Sequence, residues 1–75
     1  MRVQGTITAV FALRGYAWAE PDNERVSAFA HFNETRGKKQ MLRMGDRIEF
    51  ELVDTPKGLK AEDIEIIVPA PKVAS

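Results

Sequence analysis

The chain has no cysteine, so neither a disulfide framework nor a thiolate metal site can hold it together. A single histidine, His31, leaves no zinc constellation either, since such sites draw several ligands from Cys and His. No metal or cofactor is expected. No apolar run reaches the roughly 20 residues that span a bilayer, and the N-terminal segment lacks the apolar core of a signal peptide. A soluble cytoplasmic protein with no membrane partner is the expectation. Net charge is missing too, because 11 Lys plus Arg balance 11 Asp plus Glu. Taken whole, that balance argues against a protein that grips polyanions by bulk charge. Size excludes more. A chain of 75 residues buries only about 60% of the surface it exposes when unfolded, which leaves no room for two domains or a deep catalytic cleft.

What is present reads as strands. Hydrophobic (44%) and charged (29%) fractions near globular averages exclude a disordered chain. Apolar residues recur with a period of two, interrupted by turn residues every eight to twelve positions. Residues 5–11 are β-formers, and residues 16–20 follow the turn-like Leu13-Arg14-Gly15. Pro21-Asp22-Asn23 then turns the chain into a third strand at residues 26–32. Residues 47–53 alternate Ile48, Phe50 and Leu52 with charged side chains, one face buried and one wet. After the turn at residues 54–58, a last strand at 61–68 places Ile64 and Ile66 on one side and Asp63, Glu65 and Ile67 on the other. Pro69 and Pro71 end it, so residues 1–68 form the domain and residues 69–75 a flexible tail. Between the third and fourth strands, residues 33–46 form a long connection with a helical turn near Glu34. Five short strands with one long central connection predict an all-β, antiparallel Greek-key barrel, in which closure removes exposed edges.

The anomaly lies in the second and third strands. Tyr16 and Trp18 share one face of their strand, as Phe29 and His31 do of theirs, while Ala17, Ala19, Val26, Ala28 and Ala30 take the opposite face. Aromatics on strands usually belong to a core. Two facts favour the inverse here. Burying the His31 imidazole costs free energy unless it finds a partner. The Val and Ala face, moreover, suits a narrow barrel interior, where Ile7, Ile48, Phe50, Leu52, Ile64 and Ile66 can meet it. An exposed aromatic row is a stacking platform for unpaired bases.

These residues resemble the cold-shock domain family. Arg14-Gly15-Tyr16-Ala17-Trp18-Ala19 is similar to the family's first nucleic-acid-binding motif, K-G-F/Y-G-F-I, and Ala28-Phe29-Ala30-His31-Phe32 to its second, V-F-V-H-F. Gly5-Thr6-Ile7, Gly45-Asp46 with the strand after it, and Gly58 with Ala61 extend the likeness over residues 5–67. The resemblance implies an OB-fold barrel of cold-shock type that binds single-stranded RNA or DNA on one face, often as an RNA chaperone or a regulator of transcription or translation in stress responses. Carried over by position, Tyr16, Trp18, Phe29, His31 and Phe32 are stacking residues, and Arg14 takes the place of the motif lysine.

The departures matter as well. Thr8-Ala9-Val10 stands where the family has K-W-F, so a platform Trp is missing, and from sequence the facing of Phe11, which would compensate, stays open. Stacking is worth roughly 1–3 kcal/mol per base, which puts the expected affinity nearer micromolar than nanomolar. Lys38 and Lys39 stand in the long loop where an aromatic is common.

Charge is unevenly placed. Residues 36–47 carry a local net of +4 from Arg36, Lys38, Lys39, Arg43 and Arg47 against Asp46, whereas residues 48–68 carry a net of −4. Beside an aromatic platform, the basic stretch, with Lys38 and Lys39, is a candidate phosphate track away from the acidic final strands. No nucleophile or orienting partner accompanies His31, so no catalytic residue and no enzymatic activity are expected. Two rivals remain open on sequence: a barrel that docks on structured RNA or the ribosome through its basic loop, and a protein-interaction barrel that uses the same aromatics. A monomer is expected, with strand exchange through residues 33–46 the route to a dimer.

Overall fold

The computed structural model of the protein describes residues 2–23, 25–36 and 41–70. Strands β1 (Arg2–Phe11), β2 (Tyr16–Pro21), β3 (Ala28–His31), β4 (Arg47–Thr55) and β5 (Gly58–Val68) close into a barrel in the order β1-β2-β3-β5-β4, with β4 returning to β1. Four pairings are antiparallel, and the fifth, β3 with β5, is parallel and short. A ring of five strands cannot alternate direction all the way round, so the expected antiparallel barrel must contain one parallel seam. It falls where Phe29 lies opposite Lys60 and Ala30 opposite Ala61.

Alternation decides what fills the barrel. Ala17, Ala19, Ala28, Ala30 and Ala61 are fully buried, and these small side chains let β2, β3 and β5 approach around Ile7, Ile48, Phe50 and Ile64. Leu52 and Ile66 are only partly buried and pack against that cluster, while Val26 stands outside it, 60% exposed. Leu42, from the long connection, is also fully buried and plugs the core from a segment with no strand periodicity. Gly5 marks the tightest crossing, because a Cβ there would meet the Glu20 carbonyl oxygen at 2.6 Å.

Strand ends differ from the sequence reading in both directions. β1 begins at Arg2 and β5 at Gly58, each three residues earlier than expected, whereas β3 is shorter than the expected 26–32 and spans only Ala28–His31. β5 starts early because Pro56 and Lys57 alone make the turn between β4 and β5. Thr55 locks that hairpin: its hydroxyl donates to the Gly58 carbonyl at 2.7 Å and accepts from the Lys57 N–H at 3.2 Å. The long connection is pinned by Asp46, whose buried carboxylate accepts from the Arg43 N–H at 2.8 Å and the Ala70 N–H at 2.6 Å. The chain is thus still anchored two residues past Val68, while residues 71–75 of the expected tail lie outside the described residues.

Candidate nucleic-acid interface

A single irregularity determines what the outer face of β1 offers. Ile7 lies opposite Ala19, but Ala9 lies opposite Trp18, so Thr8 is the extra residue of a β-bulge. Without it, Phe11 would share the inward face of Ile7. With it, Phe11 turns outward opposite Tyr16, 44% exposed, with ring centroids 5.1 Å apart and planes 29° apart. The facing that sequence left open is thereby settled. Gly15, at φ 79° in the left-handed region, ends the 3-10 turn at Ala12–Arg14 and returns the chain into β2.

Register then assembles the rest. Tyr16 pairs with His31 and Trp18 with Phe29 across β2 and β3, all four half-buried on the outer face. Tyr16 and Phe29 lie 5.0 Å apart, Trp18 meets Phe29 edge-on at 5.7 Å, and Phe29 lies 6.2 Å from His31. Four aromatic rings and an imidazole therefore form one continuous surface outside a core built on alanine. The His31 ring has the partner its position requires, since Nδ1 accepts from the Asn33 N–H at 3.0 Å and caps the following 3-10 turn, Phe32–Glu34. That leaves the Nε2 edge of the ring for a ligand.

Phe32 does not join this surface. It is only 4% exposed and belongs to the core, contrary to its expected stacking role. The period of two already places it with Ala28 and Ala30, and the motif resemblance masks that parity. Arg14 is exposed in the 3-10 turn, two residues before Tyr16. Lys38 and Lys39 lie outside the described residues.

Among the described residues, two cations from outside the basic stretch stand beside the platform. A groove of about 740 Å³ runs between the aromatic face and the tip of the β4–β5 hairpin, lined by Tyr16, Trp18, Phe29 and Leu59 with Lys57 and Lys60 among its walls. Sequence reading misses both lysines, because the β3–β5 seam that carries the hairpin to this face joins residues about thirty positions apart. Lys60 shares its ammonium with Glu62 at 3.5 Å and Glu34 at 3.9 Å. Among the described residues, no carboxylate pairs with Lys57.

Arg36 and Arg47 are committed elsewhere. The Arg36 guanidinium reaches Asp63 at 2.8 Å and Glu65 at 3.2 Å, and Arg2 joins Asp63 to Glu49. Arg47 holds both oxygens of Asp22 at 2.8 Å. The basic and acidic segments thus partly neutralise each other on the barrel surface. Hydrogen bonds from Arg47 and Arg36 hold the carboxyls of Asp22 and Asp63 below their ordinary value of 3.8. A carboxyl lowered by folding adds stability above its unfolded pKa, and the contribution disappears as pH falls through the folded value. Melting temperature should therefore drop below about pH 4, and the drop should shrink in Asp63→Asn, a variant that keeps a side chain tolerant of the positive φ at this position. An unchanged acid limb in that variant would assign the transition to other groups.

Comparison with known proteins agrees with this geometry. The model of the 'Cold-shock' DNA-binding domain matches residues 3–67. The chain belongs to the cold-shock domain family. Its members are in general nucleic-acid-binding and not enzymes. The major cold shock protein of Micrococcus luteus is 36% identical over 61 residues, which cover 80% of this chain and 91% of that protein. Probable cold shock protein A of Mycolicibacterium smegmatis is 29% identical over 65 residues, 85% of this chain and 97% of that one. The solved structure of drosophila Unr CSD456 superposes with a TM-score of 0.75 at 23% identity, covering all of this chain and 29% of that one, and attests the cold-shock barrel fold. Among the described residues, no group of His, Asp and Glu could hold a metal ion, and no helix is long and apolar enough to cross a membrane.

Proposed function

We propose that this cold-shock domain binds single-stranded RNA or DNA by stacking bases on the outer aromatic face of β2 and β3, with little sequence preference. Through that binding it would act as an RNA chaperone or as a regulator of transcription or translation. The observation that carries the reading is the inversion itself: Tyr16, Trp18, Phe29 and His31 lie outside a barrel whose interior is built on alanine. Such rings gain nothing from burial in the core and offer π-faces that any base can use. Bases already stacked in a duplex cannot use them, which is how this face would hold RNA open.

Lys57 and Lys60, in the wall of the groove, are placed to meet the phosphates of a strand whose bases lie on Trp18 and Phe29. Each phosphate contact on a single strand contributes about 0.7 to the slope of log K against log salt. Replacing both lysines with Ala should lower that slope by about 0.7 to 1.4, while Arg36→Ala should leave it unchanged. The titration uses a pyrimidine-rich single strand and the same strand annealed to its complement. Tighter binding to the duplex, or a slope that responds to Arg36 and not to the lysines, would contradict the proposal.

A further inference from the structure

We infer that Phe11 is a base-stacking residue, and that on β1 the binding surface is displaced toward the β1–β2 turn. This rests on the single-strand reading above. The two outward positions of β1 that face β2 are unequal. Ala9, beside Trp18, presents only a methyl group, whereas Phe11, beside Tyr16, presents a ring. They are two residues apart, or about 7 Å along the strand.

Phe11, Tyr16 and Phe29 form a ladder across three strands, with centroid steps of 5.1 and 5.0 Å and tilts of 29° and 32°. Packing against Tyr16 alone would leave Phe11 as a cross-strand pair that stabilises the hairpin. Yet 44% of the residue remains exposed, and the chain runs on into the adjoining turn, where Leu13 is wholly exposed and Arg14 follows it in sequence. An exposed ring in line with the platform, followed in the chain by an exposed apolar side chain and a cation, offers the chemistry of a nucleotide subsite: π-face for the base, alkyl group for the sugar, guanidinium for the phosphate. The bulge at Thr8 is what puts it there. Sequence alternation alone would have buried the ring and ended the platform at Tyr16.

The test is a length series of oligothymidylates bound to wild type, Phe11→Ala and Phe11→Leu, with melting curves for all three. Phe11→Leu keeps apolar bulk against Tyr16 and removes the ring. Both variants should bind the longest oligomer about 5-fold or more weakly, the size expected for one lost stack. Their affinity should also stop rising with length about one nucleotide sooner than that of the wild type. Wild-type affinity and length dependence in Phe11→Leu would overturn the assignment and make Phe11 a structural pair. If wild type itself binds no oligothymidylate, the single-strand reading falls and takes this inference with it.

Discussion

Phe29→Ala is expected to weaken binding of a pyrimidine-rich single strand by about 5- to 150-fold, the equivalent of roughly 1–3 kcal/mol for one stacked base. Phe29 is the hub of the platform, since Tyr16, Trp18 and His31 all lie within 6.2 Å of its ring. Removing it takes away one stacking surface and also the edge contact with Trp18 and the tilted contact with Tyr16 that orient those rings. The loss should therefore exceed that of any single cation on the barrel. The barrel itself should survive, because the ring stands on the outer face, and the alanines behind it form the wall. Phe29→Leu controls for apolar bulk and should recover melting temperature without recovering affinity. Arg36→Ala, which removes a cation of the same chain already paired with Asp63 and Glu65, should change affinity little. If Arg36→Ala costs more than Phe29→Ala, the ligand lies on the loop side of the barrel and not on the aromatic face.

Phe50→Ala is expected to unfold the protein at ambient temperature or come close to it. Among the described residues Phe50 is the largest fully buried side chain, and it belongs to the same cluster as Ile7, Ile48 and Ile64. Truncating a buried Phe costs about 3–5 kcal/mol, made of lost transfer free energy and a residual cavity. At roughly 0.05–0.15 kcal/mol per residue, a chain of 75 residues has only about 4–11 kcal/mol to lose. Alanines already line the β2 and β3 walls, so no neighbouring side chain there is long enough to collapse into the space. Calorimetry should show a fall in melting temperature of about 12 °C or more, at roughly 4–8 °C per kcal/mol for a domain of this size. Phe50→Leu should recover most of it. A fall of only a few degrees in Phe50→Ala would mean that the barrel can shrink around the gap.

These two phenylalanines show what sequence patterning can and cannot reveal. Phe50 alternates with charged neighbours on β4, so its inward facing follows from a period of two. Phe29 is legible by contrast with Ala28 and Ala30, because a narrow barrel interior accepts the alanine row and leaves the row of large rings outside. Phe11 is not legible. A bulge inserts one residue without any composition signal, and everything beyond Thr8 changes face. Phe32 is legible by parity yet misassigned by motif, which shows that a recognised pattern can override the geometry that should check it. Leu42 and the lysines of the hairpin depend on contacts distant in sequence, and no local period reports those. The same holds for charge. The zero net balance conceals opposed segments, but only the folded surface shows that Arg36 and Arg47 direct their charge to Asp63, Glu65 and Asp22, leaving Lys57 at the groove.

Trp18 is the only tryptophan and lies within the proposed platform, so its emission reports the site directly. The decisive measurement is a titration with a pyrimidine-rich single strand at two salt concentrations, followed by Trp18 fluorescence. Stacking predicts strong quenching that saturates and persists at moderate salt, with a shallow salt slope. Binding that leaves Trp18 emission unchanged, or that disappears steeply as salt rises, would place the ligand on charged surface away from the aromatic face and contradict the central claim.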